Sequence, residues 1–320
     1  MKRLPMLAVG TLILGVAACG GGGSAPSAEG GLNCRSIDFI VPYSPGGGSD
    51  RQVRRMQPHL EEALGVKINV QYMEGGDGAI GWQALAGAKP DGCTVSNVVA
   101  PNIMVLSSSG EEVGFTAEDF EYLGWSETTP NVLAVAANSP YKTLDDFVKA
   151  AKAAPGSLTV AGVGEVGELL NAEVENSTGA QFSYVPVSGG VGAIIPDLLG
   201  GHVNAGVIGA AHVAESEGRL RALAMTGTDK VESLPDVPTY EEAGYKPATL
   251  GQAWGVIAPP ETPDDVVQVW NEAISGAAAQ EKQQIIEAGL IPLDQDVTQA
   301  RDYVQQMNDA LTAAQETVAK

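Results

Sequence analysis

A short apolar run leads directly into three glycines in the stretch Ile40-Val41-Pro42-Tyr43-Ser44-Pro45-Gly46-Gly47-Gly48-Ser49-Asp50. Residues 36–41 predict a β-strand, and residues 49–64 predict a helix because their apolar side chains recur at helical spacing. A glycine loop between a strand and a helix leaves backbone N–H groups free at the positive end of the helix. This unit predicts an α/β fold and a place where an anion can bind without a charged side chain.

Strands and helices continue to alternate along the chain. A second unit has a strand at 66–72, a glycine loop at 75–78 and a helix at 79–88. Further strands are predicted at 94–99, 131–137, 158–161, 182–187, 203–208, 220–226 and 254–258, and further helices at 144–153, 166–178, 191–199, 263–279 and 298–318. The glycines at 162–164 and 188–190 predict two more loops of the same kind. This order predicts mostly parallel sheets flanked by helices on both faces.

Composition and motifs exclude several classes of function. The chain has 320 residues and a formal net charge of -21, which would repel nucleic acid. It has 3 His and 3 Cys, without a C-x-x-C pair, so no metal site is expected. Ser49 and Asp50 stand where a nucleotide-binding P-loop needs lysine and a hydroxyl residue. No G-x-S-x-G or H-E-x-x-H motif occurs, and we expect neither an enzyme nor a cofactor.

The N-terminus carries an export signal. Lys2 and Arg3 precede an apolar run that is too short to span a membrane. The run ends in Val16-Ala17-Ala18-Cys19, which resembles a bacterial lipobox and predicts a signal peptide over 1–18 with lipidation of Cys19. An ordinary cleavable signal is the alternative. Residues 19–33, which include a run of glycines, predict a flexible tether. We therefore expect an extracytoplasmic lipoprotein anchored to the bacterial cell membrane.

Two other cysteines, Cys34 and Cys93, each lie just before a predicted strand. If those strands are parallel neighbours, the two thiols meet at the same end of the sheet, and a disulfide is permitted outside the cytoplasm. Two free thiols remain the alternative.

The sequence resembles a known family in an ordered set of motifs. After the stretch at 40–50 come Gly75-Gly76-Asp77-Gly78-Ala79-Ile80-Gly81, Pro90-Asp91-Gly92-Cys93-Thr94, Tyr184-Val185-Pro186-Val187-Ser188-Gly189-Gly190, Leu199-Gly200-Gly201, Leu220-Arg221-Ala222-Leu223-Ala224, Leu234-Pro235-Asp236-Val237-Pro238-Thr239 and Glu242-Ala243-Gly244-Tyr245. This set looks like that of the substrate-binding proteins of tripartite tricarboxylate transporters, the Bug family, over residues 36–320.

The resemblance implies a two-lobed periplasmic-binding-protein fold of type II. Lobe 1 would comprise 34–132 and 253–320, and lobe 2 would comprise 133–252, with crossover strands near 131–137 and 251–258. The implied function is capture of a small carboxylated compound by a monomeric receptor for membrane permease subunits. A sensor subunit that docks onto a receptor kinase is the alternative.

The resemblance also implies which residues contact the ligand. In lobe 1 these are Ser44, Gly46, Gly47, Gly48 and Ser49 of the first loop and Gly76, Gly78 and Ala79 of the second. In lobe 2 they are Val163, Gly164, Glu165, Ser188, Gly189 and Gly190.

The charge of the lobe 2 loops bears on the ligand. Residues 158–170 and 185–195 contain no Lys or Arg, whereas Glu165 and Glu168 are acidic. A second carboxylate would find no cation there. The sequence therefore predicts a ligand with one carboxylate and a neutral or amine-bearing remainder, with Glu165 facing either that remainder or solvent.

Overall fold

The fold is built on one mixed β-sheet. The structure is a computed structural model, and it describes residues 32–108, 113–187 and 190–318. Within those residues the sheet has ten strands. They are β1 (Ile37–Val41), β2 (Ile68–Tyr72), β3 (Thr94–Ala100), β4 (Glu121–Ala136), β5 (Thr159–Val163), β6 (Ser183–Val187), β7 (Ala205–Gly209), β8 (Leu220–Met225), β9 (Gly251–Ala258) and β10 (Ile291–Pro292).

The strand order is β2-β1-β3-β9-β4-β7-β5-β6, and β8 and β10 both pair with β4. Pairs are parallel towards the two edges, where β1 lies beside β2 and β3, and β5 lies beside β6 and β7. The two central strands, β4 and β9, are antiparallel to their neighbours. The α/β prediction is confirmed, with a mixed sheet instead of mostly parallel ones, because these two strands carry the chain between the halves.

Helices cover the sheet. They are α1 (Gly48–Leu64), α2 (Ala79–Ala86), α3 (Asn102–Ser108), α4 (Leu144–Ala153), α5 (Gly164–Thr178), α6 (Val191–Gly200), α7 (Ala210–Ala214), α8 (Asp264–Glu287) and α9 (Val297–Val318). The C-terminal helix α9 packs against β4 and also against α5. It therefore contacts a central strand of the sheet and a helix that belongs to the half formed by β5, β6 and β7.

Strand β4 is 16 residues long, whereas the sequence predicts a strand only over its last part. Its first part is interrupted by register shifts near Tyr122 and Trp125 and carries buried polar residues such as Ser126 and Glu127. Irregular pairing and buried polar groups remove the alternation by which a strand is recognised.

The partners of β4 change along its length. Residues 121–130 pair with β9, whereas residues 131–136 pair with β7 and β8. The lobe boundary proposed near residue 132 lies close to this change of partners. Leu32, in the proposed tether, already packs against the hydrophobic cluster that contains Trp270. The predicted signal peptide at 1–18 and the predicted lipidation site Cys19 lie outside the described residues.

Cys34 and Cys93 are joined by a disulfide in the structure, with a Cα–Cα distance of 5.5 Å. The residues that follow them, β1 and β3, are parallel neighbours. The Asp38 N–H donates to the carbonyl oxygen of Cys93 at 2.9 Å, which brings the two segments together at one end of the sheet.

Candidate ligand-binding cleft

Three helices begin at the carboxyl ends of strands in one region of the molecule. Helix α1 follows β1, α2 follows β2 after a 3₁₀ turn at Gly76–Gly78, and α5 follows β5 directly. In open α/β sheets, ligands bind outside the carboxyl ends of the strands. We call this region the cleft and define it by residues 46–49, 76–79, 164–165 and Trp254.

The first glycine loop uses some of its own backbone donors. The Gly46 N–H donates to Asp50 Oδ2 at 2.7 Å, and the Gly47 N–H donates to the Ser44 carbonyl at 3.3 Å. Within the described residues, the N–H groups of Gly48 and Ser49 have no hydrogen-bond partner. The donors available to a ligand in this loop are therefore those of Gly48 and Ser49, and Gly46 and Gly47 shape the turn.

Two acidic side chains border the same loop. The Ser44 hydroxyl donates to Glu74 Oε2 at 2.5 Å. Burial raises the pKa of Asp50, but hydrogen bonds from Tyr72 and the Gly46 N–H, together with Arg54, outweigh it and lower that pKa below its usual range. Asp50 therefore stays ionised and fixes the loop through Gly46.

Trp254 of β9 forms the wall beside this loop. A Cβ atom placed on Gly48 would lie 3.2 Å from Trp254 Cζ2 and 3.3 Å from its Nε1. The indole is half-buried and lies directly against the backbone that carries the free N–H groups. Sequence reasoning missed Trp254, because only the pairing of β9 with β3 and β4 brings it to the loop.

The second loop has an unusual backbone. Gly75, Gly76, Asp77 and Gly78 all have positive φ values, and that of Asp77 is 50°. The Gly78 N–H donates to the Gly75 carbonyl at 3.2 Å, and the Ala79 N–H donates to the Gly76 carbonyl. The predicted contacts at Gly78 and Ala79 are therefore not free donors. Among the described residues, the N–H groups of Gly76 and Asp77 have no partner.

Tyr43 and Trp82 hold the second loop in place. The Tyr43 hydroxyl donates to the Asp77 carbonyl at 3.0 Å. Burial, and then the charge of Asp77, raise the pKa of Tyr43, so the hydroxyl remains a donor. A Cβ on Gly78 would lie 2.8 Å from the Trp82 ring, which explains why only glycine fits there.

The start of α5 reaches this loop from the other half of the sheet. A Cβ on Gly164 would lie 3.7 Å from Asp77 Oδ2, so the predicted residues Gly76, Gly78 and Gly164 are brought together. Gly164 has a φ of 49°, and its carbonyl accepts a hydrogen bond from the Tyr184 hydroxyl at 2.6 Å. Val163, the residue before the helix, ends β5.

The prediction of a glycine loop at 162–164 is wrong. Strand β5 continues to Val163 and α5 begins at Gly164. A Cβ on Gly162 would lie 2.8 Å from the Gly167 Cα, and one on Gly167 would lie 2.6 Å from the Tyr184 hydroxyl. These two glycines allow the helix to pack closely on the strand, which is a structural role.

Of the remaining predicted site residues, the structure describes Glu165 and Gly190. Glu165 is exposed in the first turn of α5 and makes no hydrogen bond within the described residues. Gly190, with a φ of 83°, precedes α6. Ser188 and Gly189 lie outside the described residues.

A buried polar network fixes α1 against the central strands. Gln52 is fully buried, donates to the Ser126 hydroxyl at 2.9 Å and accepts from Asn97 Nδ2 at 2.9 Å. The Ser126 hydroxyl in turn donates to the Trp254 carbonyl at 3.2 Å. The N-terminus of α1 and the strand that carries Trp254 are thus held by one set of hydrogen bonds.

Sequence reasoning also missed an ion pair between α1 and the segment that follows α7. Arg51 Nη1 of α1 lies 3.6 Å from Glu215 Oε1, just after α7. Helix α7 follows β7, and a Cβ on Gly209 at that junction would lie 3.2 Å from Thr129 Cγ2 and 3.6 Å from Gln252 Oε1. Arg51 follows the cleft residue Ser49 by two positions on α1, and the count of charges in the lobe 2 loops did not include it.

The described residues contain neither a metal-binding cluster nor a membrane-spanning helix. Their His, Cys, Asp and Glu side chains form no cluster of three or more that could hold a metal ion. None of their helices is both long and apolar enough to cross a bilayer.

Comparison with known proteins agrees with this architecture. The model of the family described as "Tripartite tricarboxylate transporter family receptor" (TctC) matches residues 52–318. Protein BugT of Bordetella pertussis is 30% identical over 302 residues, which cover 91% of this chain and 92% of BugT. A TctC solute-binding protein from Polaromonas, solved without ligand, is 26% identical with a TM-score of 0.73, over 90% of this chain and 99% of that one.

The fold is also shared with two ligand-bound structures from Rhodopseudomonas palustris. MatC with bound malate is 22% identical with a TM-score of 0.75, over 89% of this chain and 99% of MatC. A second protein, solved with adipate, is also 22% identical with a TM-score of 0.75, over 90% and 98% of the two chains. The family match and the similarity to BugT confirm the resemblance seen in the motifs and the prediction that the chain is not an enzyme. The chain belongs to the tripartite tricarboxylate transporter receptor family of periplasmic solute-binding proteins.

Proposed function

We propose that this protein is a lipid-anchored extracytoplasmic receptor that captures a small carboxylated organic compound for a tripartite tricarboxylate-type transporter. One observation carries the proposal. The N–H groups of Gly48 and Ser49 have no partner within the described residues, and they lie at the N-terminus of α1, which has 17 residues. A helix N-terminus with free N–H groups attracts a carboxylate through hydrogen bonds and the helix dipole.

The surrounding residues suit a small organic acid. The Trp254 ring lies against Gly48 and offers an apolar surface for the carbon chain of a ligand. The second loop adds the unpartnered N–H groups of Gly76 and Asp77, and Gly164 lies close to them from the other half. The carboxylates bound by the R. palustris proteins, malate and adipate, support a ligand of this class.

Closure of the two lobes would complete the site. Strands β4 and β9 both run through the centre of the sheet, so a change of backbone angle near residues 130–131 and 251 would move one half relative to the other. Small changes in a few residues at strand ends are enough for such hinge motions. The closed receptor would then present the ligand to the permease subunits.

A thermal-shift screen tests the ligand class. Purified protein is heated with mono-, di- and tricarboxylates, and with the uncharged amides of the same acids as matched controls. A ligand present at about 100 times its dissociation constant stabilises a protein by about 2.7 kcal/mol. We expect at least one acid to raise the melting temperature and its amide to leave it unchanged. The proposal fails if no acid has an effect or if the amides match the acids.

The anchor is tested separately, because Cys19 lies outside the described residues. Wild-type protein should fractionate with membranes and carry a diacylglyceryl group on Cys19. Replacement of Cys19→Ser should release the chain into the soluble extracytoplasmic fraction. Recovery of the wild type in the soluble fraction, with cleavage at another bond, would support the ordinary signal peptide instead.

A further inference from the structure

Asp50 is an acidic side chain in the first turn of α1, the helix whose N-terminus is the proposed anion-binding end. An acidic side chain at this position commonly accepts the N–H of the residue that caps its own helix. Here Asp50 Oδ2 accepts instead the N–H of Gly46, which precedes the cap, at 2.7 Å. The carboxylate therefore fastens the first glycine loop, and the N–H groups of Gly48 and Ser49 keep no partner within the described residues.

The hydroxyl of Tyr72, the last residue of β2, holds the other oxygen of Asp50. It donates to Asp50 Oδ1 at 2.6 Å and accepts a hydrogen bond from Arg54 Nη2 at 2.9 Å. The Arg54 guanidinium also lies over the Tyr72 ring, 5.8 Å from its centroid, and its Nε is 3.4 Å from Asp50 Oδ1. Tyr72 and Arg54 thus orient the carboxylate that fixes the glycine loop.

The groups around Asp50 keep it ionised. Its side chain is 14% exposed, and burial alone would raise its pKa. The hydrogen bond from Tyr72 opposes that shift most, followed by the Gly46 N–H and Arg54, and together they lower the pKa below its usual range. Glu74, the other acidic side chain beside the loop, is bonded to a serine hydroxyl. Removal of the Tyr72 hydroxyl should therefore make Asp50 easier to protonate.

Helix α4 contains a similar contact away from the cleft. The Tyr245 hydroxyl donates to Asp145 Oδ1 at 3.1 Å, and Lys149 pairs with the same carboxylate from one turn along the helix. The start of α4 is closed by the capping box of Thr143 and Asp146, and no glycine loop precedes it. This tyrosine–aspartate contact is therefore a matched control for the one on α1.

We infer that Tyr72 is a positioning residue of the carboxylate-binding loop. Through Asp50 it fixes the N–H of Gly46, and it thereby holds Gly48 and Ser49 in the conformation that leaves their N–H groups open to a ligand. Tyr72 acts through Asp50 and does not bind the ligand itself. This inference rests on the proposed carboxylate-binding function. Local sequence patterns do not reveal it, because Tyr72 reaches α1 only through the pairing of β1 with β2.

Isothermal titration calorimetry of Tyr72→Phe tests the inference. The probes are malate, adipate and the most stabilising acid of the thermal-shift panel. At neutral pH we expect the variant to bind about 2- to 10-fold more weakly, because Asp50 loses one of its hydrogen bonds. The ratio of the dissociation constants of variant and wild type should rise as the pH falls to about 4, since Asp50 then gains a proton first in the variant. Protonation of the acid itself affects both proteins equally and cancels in the ratio.

Control variants show whether Tyr72 acts through Asp50. Tyr245→Phe should leave the affinity unchanged at every pH. Asp50→Asn should weaken binding, and addition of Tyr72→Phe to it should have no further effect, because residues in one hydrogen-bond network are not additive. Nuclear magnetic resonance of the carboxyl carbons should show a higher pKa for Asp50 in Tyr72→Phe. Arg54→Gln, a second variant should Tyr72→Phe not fold, should raise the ratio in the same direction by less.

The outcomes distinguish this inference from the proposed function. If the ratio is constant with pH, if the effects of Tyr72→Phe and Asp50→Asn add, or if the pKa of Asp50 is unchanged, Tyr72 is not a positioning residue and the carboxylate receptor stands. If the wild type binds no carboxylate of the thermal-shift panel, the proposed function fails and the inference falls with it.

Discussion

Gly48 is the residue at which we expect the ligand to come closest to the protein backbone. It offers an unpartnered N–H, and its missing side chain leaves room beside Trp254. Gly47 differs, because its φ of -73° is open to any residue and its N–H is already bonded to Ser44. The sequence identified the glycine loop, but only the backbone angles and the contact with Trp254 show which glycine matters.

We predict that Gly48→Val disrupts ligand binding and leaves the protein folded. The Cβ of the new side chain would lie 3.2 Å from Trp254 Cζ2, so the side chain would press against the ring. It would also cover the free N–H groups. Overpacking of this kind lowers the stability of the fold by about 1–3 kcal/mol. Loss of the hydrogen bonds from the covered N–H groups to a charged ligand should weaken binding by about tenfold or more. Calorimetry with the most stabilising acid measures the loss. The control is Gly276→Val in α8, where a Cβ meets nothing within 4 Å, and unchanged binding by Gly48→Val contradicts the assignment.

Glu173 is a single residue that should make the free energy of unfolding depend on pH. It is a buried carboxylate on α5 that accepts the N–H groups of Thr249 at 2.6 Å and Leu250 at 3.2 Å. Burial raises its pKa, although these hydrogen bonds oppose the shift. The folded state therefore binds this proton more tightly than the unfolded chain, and the ionised carboxylate lowers stability above the raised pKa.

We expect the free energy of unfolding of the wild type to rise relative to that of Glu173→Gln as the pH falls through the raised pKa. The gain should stop near 4.5, the ordinary pKa of the group. Urea denaturation at a series of pH values measures the difference. Glu165→Gln is the control for the loss of an exposed carboxylate from the same helix. A difference between wild type and Glu173→Gln that is constant with pH would show that Glu173 is not perturbed.

At the scale of helices and strands, local sequence patterns gave the most reliable predictions. Helix α4 has its predicted bounds, because Thr143 and Asp146 form a capping box that marks its start. The first part of β4 was missed, since register shifts and buried polar residues hide the strand pattern. Trp254 and the Arg51–Glu215 pair were missed for another reason. Each meets the cleft only through tertiary packing, which no local sequence pattern reports.

We predict that the Cys34–Cys93 disulfide stabilises the edge of the sheet formed by β1, β2 and β3. The cross-link closes a loop with a sequence separation of 59 residues. The chain-entropy estimate for such a loop is about 4 kcal/mol. Replacement of both cysteines by serine should lower the free energy of unfolding by about that amount. In excess reductant the two proteins should become equally stable.

Mass spectrometry of the unreduced protein is the direct check on the bridge. We expect both thiols to resist alkylation until a reductant is added. Alkylation of both without prior reduction would mean that the cysteines are free in solution.

At the scale of the whole molecule, two opposing fields act on an anionic ligand. The net charge of -21 repels anions at long range, but salt screens that repulsion beyond about 10 Å. Inside the cleft, the start of α1 and the N–H groups of the second loop should attract them. The local donors decide binding, because they act at contact distance. We therefore expect the ligand to bind in the cleft.

Hydrogen–deuterium exchange with and without the most stabilising acid tests this central claim most directly. We expect slower exchange in the peptides that cover 46–51, 75–80 and 163–167, which come from both halves of the sheet. The groove at 271–275 and 294–299 provides the internal comparison and should be unaffected. Protection confined to that groove, or protection of only one half of the sheet, would contradict a ligand enclosed between the two glycine loops and α5.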